Sequence, residues 1–159
     1  MERIPKEKPE NVEIYFVAIG SEEVGMLGMI NFEKQYKNIL TRAYTINFDN
    51  PGKGNLVYTT YEGLIKIFCC KEGKLLEAAR KVGEKLGVPP FKYRLLPTDA
   101  TILMRDKLEA ISIMAFGEKG MPVDYHWYTD NIKNINMENL KNAEEIAINI
   151  INLIREQRT

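Results

Sequence analysis

Two adjacent glutamates, Glu22 and Glu23, stand one residue beyond an apolar segment that ends at Gly20. Neighbouring carboxylates repel each other and prefer water to a protein interior, so such a pair is solvated, faces a helix N-terminus, or is compensated by a cation. The single histidine, His126, adds an imidazole. Carboxylate oxygen and imidazole nitrogen form a donor set that suits Zn²⁺ or a similar divalent ion, so these residues predict a metal site if the fold brings them together.

Two aspartates extend the candidate set: Asp49 in FDNPGKG and Asp99 in LPTDAT. Each candidate also has a plainer interpretation. The glutamate pair could face a helix dipole, Asp49 could be an ordinary turn residue, and Asp99 could cap a helix. His126 could simply pack among the aromatic residues beside it. Taken residue by residue, the sequence indicates no more than a carboxylate-rich metal site.

The elements that must position these residues alternate between two types. Short runs rich in β-branched and aromatic residues predict strands at 12–19, 44–48, 63–69, 91–95 and 110–116. Helical spacing of apolar residues predicts helices at 24–37, 74–86, 99–107 and from residue 137 onward. This alternation predicts an α/β fold with three layers, in which a mostly parallel or mixed sheet is sandwiched between helices.

The predicted strands also place the candidate site. Ligands of open α/β sheets bind beyond the carboxyl ends of strands, where loops converge. Two long loops, 50–55 and 117–135, leave such ends, and the second contains His126. We therefore expect Glu22, Glu23, Asp49 and His126 to converge on one concavity there, with Asp99 following a short strand at the same edge.

Composition limits the class of protein. A chain of 159 residues with 45% hydrophobic residues predicts one domain, spanning 1–159. Its 22 basic and 22 acidic side chains give a formal net charge of zero. The basic residues form no cluster of the kind that binds nucleic acid, so we expect no nucleic-acid partner. No apolar run is long enough for a membrane span and the N-terminus is polar, so we expect a soluble, cytoplasmic protein. Adjacent Cys69 and Cys70 fit neither a disulfide framework nor a metal motif.

Four segments together resemble a known family. The segments IYFVAIGSEEVGMLG, INFDNPGKG, PTDA and DYHWYTD, followed by an amphipathic C-terminal helix, are similar to the zinc-dependent aminopeptidases with a two-metal site. That family also includes carboxypeptidase-like and glutaminyl-cyclase-like members. The resemblance extends from about Pro9 through nearly the whole chain and corresponds to the C-terminal part of the family's domain.

The resemblance implies a role for each candidate. Glu22 would be the general base, Glu23 and His126 would bind one zinc or other divalent metal, and Asp49 would bind a second. In that chemistry the metals polarise the scissile carbonyl and a water, while the base moves the proton. The substrate would be a peptide or another aminoacyl compound. The residues that the resemblance places at the substrate pocket are Thr98, Asp99, Tyr125 and Asp130.

The sequence also departs from the family pattern. Ala100 stands where the family has a histidine after the aspartate, and Trp127 stands where a threonine follows the ligand histidine. Members further carry an upstream His-x-Asp segment with two more ligands, and this sequence has one histidine. We therefore expect weak or no zinc binding and little activity in the isolated chain. The alternative is a non-catalytic oligomeric scaffold or binding module, and either role predicts a homo-oligomer or a complementing chain.

Overall fold

Five strands form one mixed sheet in the computed structural model, which describes residues 12–157. The sheet order is β1-β5-β2-β3, and β4 also pairs with β2. Strand β1 runs parallel to β5, and β4 runs parallel to β2, whereas β2 is antiparallel to both β5 and β3. The strands are β1 (Thr45–Phe48), β2 (Asn55–Glu62), β3 (Phe68–Cys69), β4 (Pro90–Tyr93) and β5 (Ala110–Phe116).

Four α-helices and a one-turn 3-10 helix flank this sheet. Helix termini follow the local chemistry: the Asn136 side chain accepts hydrogen bonds from two backbone N–H groups at the start of the last helix, and Gly87 ends the second in a left-handed conformation with φ of 71°. The helices are α1 (Leu27–Leu40), α2 (Lys74–Leu86), α3 (Asp99–Arg105) and α4 (Met137–Glu156), and the 3-10 helix covers Ile132–Asn134. None of the helices within residues 12–157 is both long and apolar enough to cross a bilayer.

Strand β5 lies at the centre of the core. All seven of its residues are buried, and Ile113 pairs with Phe48 of β1 on one side and Tyr58 of β2 on the other. Ile111 and Ile113, on one face of β5, belong to the main apolar cluster, which includes residues of all four helices. Met114 and Phe116 lie in a smaller cluster. A strand buried on both faces explains why its sequence is a continuous apolar run.

The predicted fold class is confirmed, and so are the predicted helix at 74–86 and the predicted strand at 110–116. The predicted strand at 12–19 is wrong, because these residues pair with no strand and Tyr15 and Phe16 are exposed. High β-propensity becomes a strand only where a neighbouring strand accepts its backbone hydrogen bonds. Helix α1 begins three residues later than predicted, at Leu27.

The segment around the second β-strand was also predicted incorrectly. The expected strand at 63–69 is reduced to Phe68–Cys69, because Gly63 turns the chain with φ of 127° and leaves Leu64 and Ile65 exposed. The eight-residue strand β2 before it was missed. Its inward side chains include Thr59 and Glu62, which are polar and fully buried, so an apolar pattern could not reveal it.

Strand direction decides which loops meet. Because β1 and β5 are parallel, Asp49 and the loop 117–135 leave the same edge of the sheet, as expected. Strand β4 runs opposite to β1, since it is parallel to β2 and β2 is antiparallel to β5. Strand polarity therefore does not place Asp99 at that edge, although its carboxyl is close enough to Glu22 and Asp49 to contribute to the raised pKa of both. Asp99 instead begins helix α3, which contacts both β1 and β5.

Replacing Ile113 by alanine should lower the free energy of unfolding by roughly 2–5 kcal/mol, because it removes buried atoms and leaves a cavity in the main apolar cluster. Ile132, which is 84% exposed, supplies the matched control, and Ile132→Ala should stay within about 0.5 kcal/mol of the parent. Urea denaturation of both variants measures the difference. Equal losses for the two substitutions would contradict the placement of β5 in the core.

Candidate active site

Glu22 and Glu23 lie in a tight turn that precedes α1. The backbone carbonyl of Glu22 accepts hydrogen bonds from the N–H groups of Gly25 at 3.0 Å and Met26 at 2.8 Å. Helix α1 begins only at Leu27 and has no acidic residue in its first turn. The glutamates therefore do not complement a helix dipole in the way a first-turn acid would, and another compensation for the pair is needed.

His126 supplies the closest contact to this turn. Its Nε2 lies 2.8 Å from Glu23 Oε1, across 103 positions of sequence, although both side chains are more than half exposed. The imidazole stacks on Tyr125, with ring centroids 3.9 Å apart and planes inclined by 20°. Stacking on Tyr125 covers one face of the imidazole ring, and the Glu23 carboxylate contacts the ring edge at Nε2. This geometry holds a proton between the two groups, and a divalent cation would compete with that proton for the same two atoms.

An ion pair ties the loop of His126 to the loop that follows β1. Lys53 Nζ lies 2.7 Å from Asp124 Oδ2, and Thr129 Oγ1 donates to Asp124 Oδ1 at 2.6 Å. Asp124 and His126 both have positive φ, 61° and 53°. Such backbone conformations are costly for residues other than glycine and persist only where surrounding contacts impose them. The ion pair and the threonine hydroxyl are among the contacts that do so here.

Positive φ is concentrated around the candidate residues. Ser21 precedes Glu22 and has φ of 60°, and Asn50 follows Asp49 with φ of 49°. Together with Asp124 and His126, they are four of the six non-glycine residues with positive φ in the described chain. Backbone strain of this kind clusters at functional sites, so its distribution is consistent with a site built by these turns.

Burial raises the pKa of Glu22 to about 7, and the neighbouring carboxylate of Asp49 adds to this effect. Glu23 and Asp99 push the pKa in the same direction, while His126 lowers it. A carboxyl group with a pKa near neutrality can both accept and release a proton, which is the property that a general base requires. The electrostatic coupling also shows that these groups share one region of negative potential.

Asp49 is placed by the sheet. Its backbone N–H donates to the carbonyl of Ile113 at 3.2 Å, which continues the β1–β5 ladder by one residue. Burial raises the pKa of Asp49 to about 6, and the carboxylates of Glu62 and Asp99 contribute next. Burial raises the pKa of the Tyr125 hydroxyl, and the carboxylates of Glu23, Glu22 and Asp49 add to this effect. Tyr125 therefore borders the cluster.

Thr98 and Asp99 lie at the start of α3. Thr98 is the N-cap, and its side chain accepts a hydrogen bond from the Ala100 N–H at 3.1 Å, so the capping role belongs to Thr98 and not to Asp99. Asp99 is 8% exposed, burial raises its pKa, and its Oδ1 has no hydrogen-bond partner within the described structure. A buried carboxylate oxygen without a partner is costly, and a cation or a ligand N–H would satisfy it.

The described residues fit a divalent cation by type but not by number. Within residues 12–157, no three histidine, cysteine or acidic side chains converge closely enough to hold a metal ion. Glu23 and His126 are brought together as a pair, whereas Asp49 is coupled only electrostatically, and only to Glu23 of the two. Asp130 lies on the exposed surface of its turn, with its N–H bonded to the Trp127 carbonyl. The metal and pocket roles of these residues therefore stay predictions.

One acidic residue of this region was not foreseen. Glu62 ends β2, is completely buried, and contributes to the raised pKa of Asp49. In the sequence it stands in TTYEG, where a glutamate before glycine is typical of a surface turn. No local pattern distinguishes it, because two of its three hydroxyl partners come from the start of α3, which is distant in sequence.

Solved structures define the class of fold. The chain superposes on the zinc aminopeptidase BSAP from Bacillus subtilis with a TM-score of 0.73 and 22% identity, over 94% of this chain and 37% of that one. The LapA aminopeptidase from Legionella pneumophila gives a TM-score of 0.68 at 16% identity, over 89% of this chain and 38% of that one. This chain thus has the fold of part of a zinc aminopeptidase. No curated protein matches it by sequence.

The family follows from the sequence itself. The model of peptidase family M28 matches residues 2–151, and the chain belongs to that family. The resemblance stated from the four sequence segments is thereby confirmed. The chain spans somewhat over a third of the length of the aminopeptidase structures it matches, so the activity of those whole proteins is not transferred with the fold.

Replacing Glu22 by glutamine should stabilise the metal-free protein at pH 8 and change little at pH 4. The pKa of Glu22 is higher in the folded than in the unfolded state, so the folded protein loses stability as pH rises from about 4.5 to about 7. Since Glu22 is only half-buried, solvent screening limits the gain to on the order of 1 kcal/mol. Chemical denaturation at both pH values measures it.

Glu118→Gln, on the exposed surface, is the matched control and should leave the pH dependence unchanged. An E22Q variant whose stability tracks the parent at every pH would mean that Glu22 is not confined in the negative cluster.

Proposed function

We propose that this chain carries part of the active site of a zinc-dependent aminopeptidase-type metallohydrolase. The observation that supports the proposal most directly is the 2.8 Å contact between Glu23 and His126, which joins the two segments expected to hold one metal. Membership of peptidase family M28 supports the hydrolytic class. The substrate would be the N-terminal peptide bond of a peptide or a related aminoacyl compound.

Each carboxylate has a distinct role in the proposal. Glu23 and His126 would contribute two ligands to one divalent cation, and Asp49 would contribute one to a second. When bound, such cations polarise a carbonyl group and acidify a water molecule. Glu22, with a pKa of about 7, would take a proton at its carboxylate and pass it to the leaving amine. Tyr125 and Asp99 would border the bound substrate.

Two ligands on one cation and one on the other are fewer than the three protein ligands usual in a catalytic zinc site. The remaining ligands would come from residues outside this sequence, in the same or in another polypeptide. The isolated 159-residue chain should accordingly bind zinc weakly, and hydrolyse an aminoacyl-nitroanilide far more slowly than a complete family enzyme. Calorimetric titration with zinc and a parallel rate assay test both expectations.

The control for that experiment is His126→Ala, which should abolish the weak zinc binding while leaving the core untouched. Cys69→Ser, at an exposed position remote from the turn, should not change it. Zinc binding that is identical in the parent and in H126A would contradict the proposed site. In that case the alternative, a non-catalytic scaffold or binding module, becomes the better account.

We also propose that the chain associates, as a cytoplasmic homo-oligomer or with a complementing chain. Several large apolar side chains are exposed, including Phe16 at 54% and Trp127 at 64%. Strand β1 is a terminal strand of the sheet and pairs only with β5 among the described strands. Exposed apolar surface and a free strand edge are the features that usually lead to association.

Sedimentation equilibrium at micromolar concentration should therefore give a mass of at least twice 18.3 kDa. Replacing Phe16 and Trp127 by serine should shift the mass towards that of the monomer, because both side chains are exposed and contribute little to the core. A parent protein that sediments at 18.3 kDa over the whole dilution range would exclude self-association.

A further inference from the structure

Glu62, at the end of β2, is a fully buried carboxylate with no ion pair among residues 12–157. Three hydroxyl groups surround it instead. Thr59 Oγ1 donates to Glu62 Oε1 at 2.6 Å. Thr98 Oγ1 and Thr101 Oγ1 donate to Oε2 at 2.6 and 2.7 Å. Distances this short are those of hydrogen bonds to a charged acceptor.

The direction of each hydroxyl proton is fixed by the other bonds of the network. Thr59 Oγ1 accepts the backbone N–H of Ser112 at 2.9 Å, and Thr101 Oγ1 accepts that of Thr98 at 2.8 Å. Each of these oxygens accepts a hydrogen bond from a backbone N–H, so its own proton is directed to Glu62. The arrangement is therefore complementary to an acceptor-only carboxylate, and every donor in it is satisfied.

The same network reaches the two aspartates of the candidate site. Asn47 Nδ2 donates to Thr98 Oγ1 at 3.3 Å and to Ser112 Oγ at 3.1 Å. Asn47 lies on β1, two residues before Asp49. Side chains alternate between the two faces of a sheet along a strand, so Asn47 and Asp49 lie on the same face. Thr98 directly precedes Asp99. Each aspartate is thus one or two residues from a side chain held by the network.

Stability alone does not account for a carboxylate at this position. Taking a charge out of water costs several kcal/mol, and well-packed apolar residues often stabilise a core as well or better than a buried polar group. What the network provides that an apolar cluster would not is directional bonding between β1, β2, β5 and the N-terminus of α3. Directional bonds fix the separation of the groups that they join.

We propose that Glu62 is a positioning residue: through Thr98 and Asn47 it fixes the spacing between Asp99 and Asp49, an inference that rests on the proposed function of Asp49. Glu62 does not touch substrate or metal in this account. It fixes the positions of the two aspartates, and these positions determine how well the site fits a divalent cation. Loss of its acceptor oxygen should therefore loosen both aspartates more than it loosens the rest of the core.

The test uses the isotope-labelled chain and Glu62→Gln, which keeps the shape but places an NH₂ group opposite a hydroxyl proton. Amide exchange at Asp49, Asp99 and Thr101 should become roughly tenfold faster relative to the core of β5. The side-chain amide signals of Asn47 should shift. A matched control, Ile150→Val in α4, lowers global stability without touching the network, and should change exchange uniformly. If amide exchange in E62Q were accelerated as uniformly along the chain as in the control, the proposal would be overturned.

Thr101→Val provides a second variant if E62Q does not fold, because it removes one donor and keeps the carboxylate. It should accelerate exchange at Asp99 in the same local manner, and a uniform response would again overturn the proposal. Its effect should be smaller than that of E62Q, since two hydroxyl donors to Glu62 remain.

Manganese titration separates this inference from the proposed function. In the parent, Mn²⁺ should broaden the amide signals of Asp49 and His126, and in E62Q the concentration needed should rise about tenfold. Local loosening in E62Q, with no broadening of these signals in the parent, would contradict the metal role of Asp49 and leave the positioning role supported. Broadening in both proteins at the same Mn²⁺ concentration would contradict the effect of Glu62 on the site.

Discussion

The accumulation of negative charge at one place is the constraint on which the rest of this structure depends. Five carboxylates, those of Glu22, Glu23, Asp49, Glu62 and Asp99, lie close enough that several raise the pKa of others. His126 is the nearest base that offsets them. Repulsion of this kind disfavours the compact state, so the fold must hold the groups in place by other contacts.

Three kinds of contact hold the cluster. The β1–β5 ladder continues as far as the N–H of Asp49, hydroxyl donors satisfy Glu62, and the Lys53–Asp124 ion pair secures the loop that presents His126. The turns that carry the candidate ligands contain residues with positive φ, whereas β1 is paired with β5 and α3 begins with a capping box. A rigid base with strained, partly exposed turns is the usual construction of a ligand site, because precise placement requires support from packed elements.

Sequence reasoning was accurate where side-chain chemistry follows a simple period. The amphipathic spacing of 74–86 and the apolar run of 110–116 defined their elements to the residue. It failed for 12–19, where β-propensity found no partner strand, and for β2, where the inward side chains of Thr59 and Glu62 are polar. The Glu23–His126 pair was expected from the family resemblance, whereas the strand-end argument for it relied on a strand at 12–19 that does not form. The buried position of Glu62 could not be predicted. Its partners are Thr59 on β2 and Thr98 and Thr101 at the start of α3, and no local sequence pattern encodes contacts between these segments.

Anomalous diffraction at the zinc edge, from crystals of the chain grown with zinc, tests the central claim most directly. The account predicts a peak about 2.0–2.2 Å from both Glu23 and His126 Nε2, with Glu62 still enclosed by its three hydroxyl groups. A peak located elsewhere, for example at Cys69, with Glu23 and His126 separated from each other, would contradict the assignment of this edge of the sheet as a metal site.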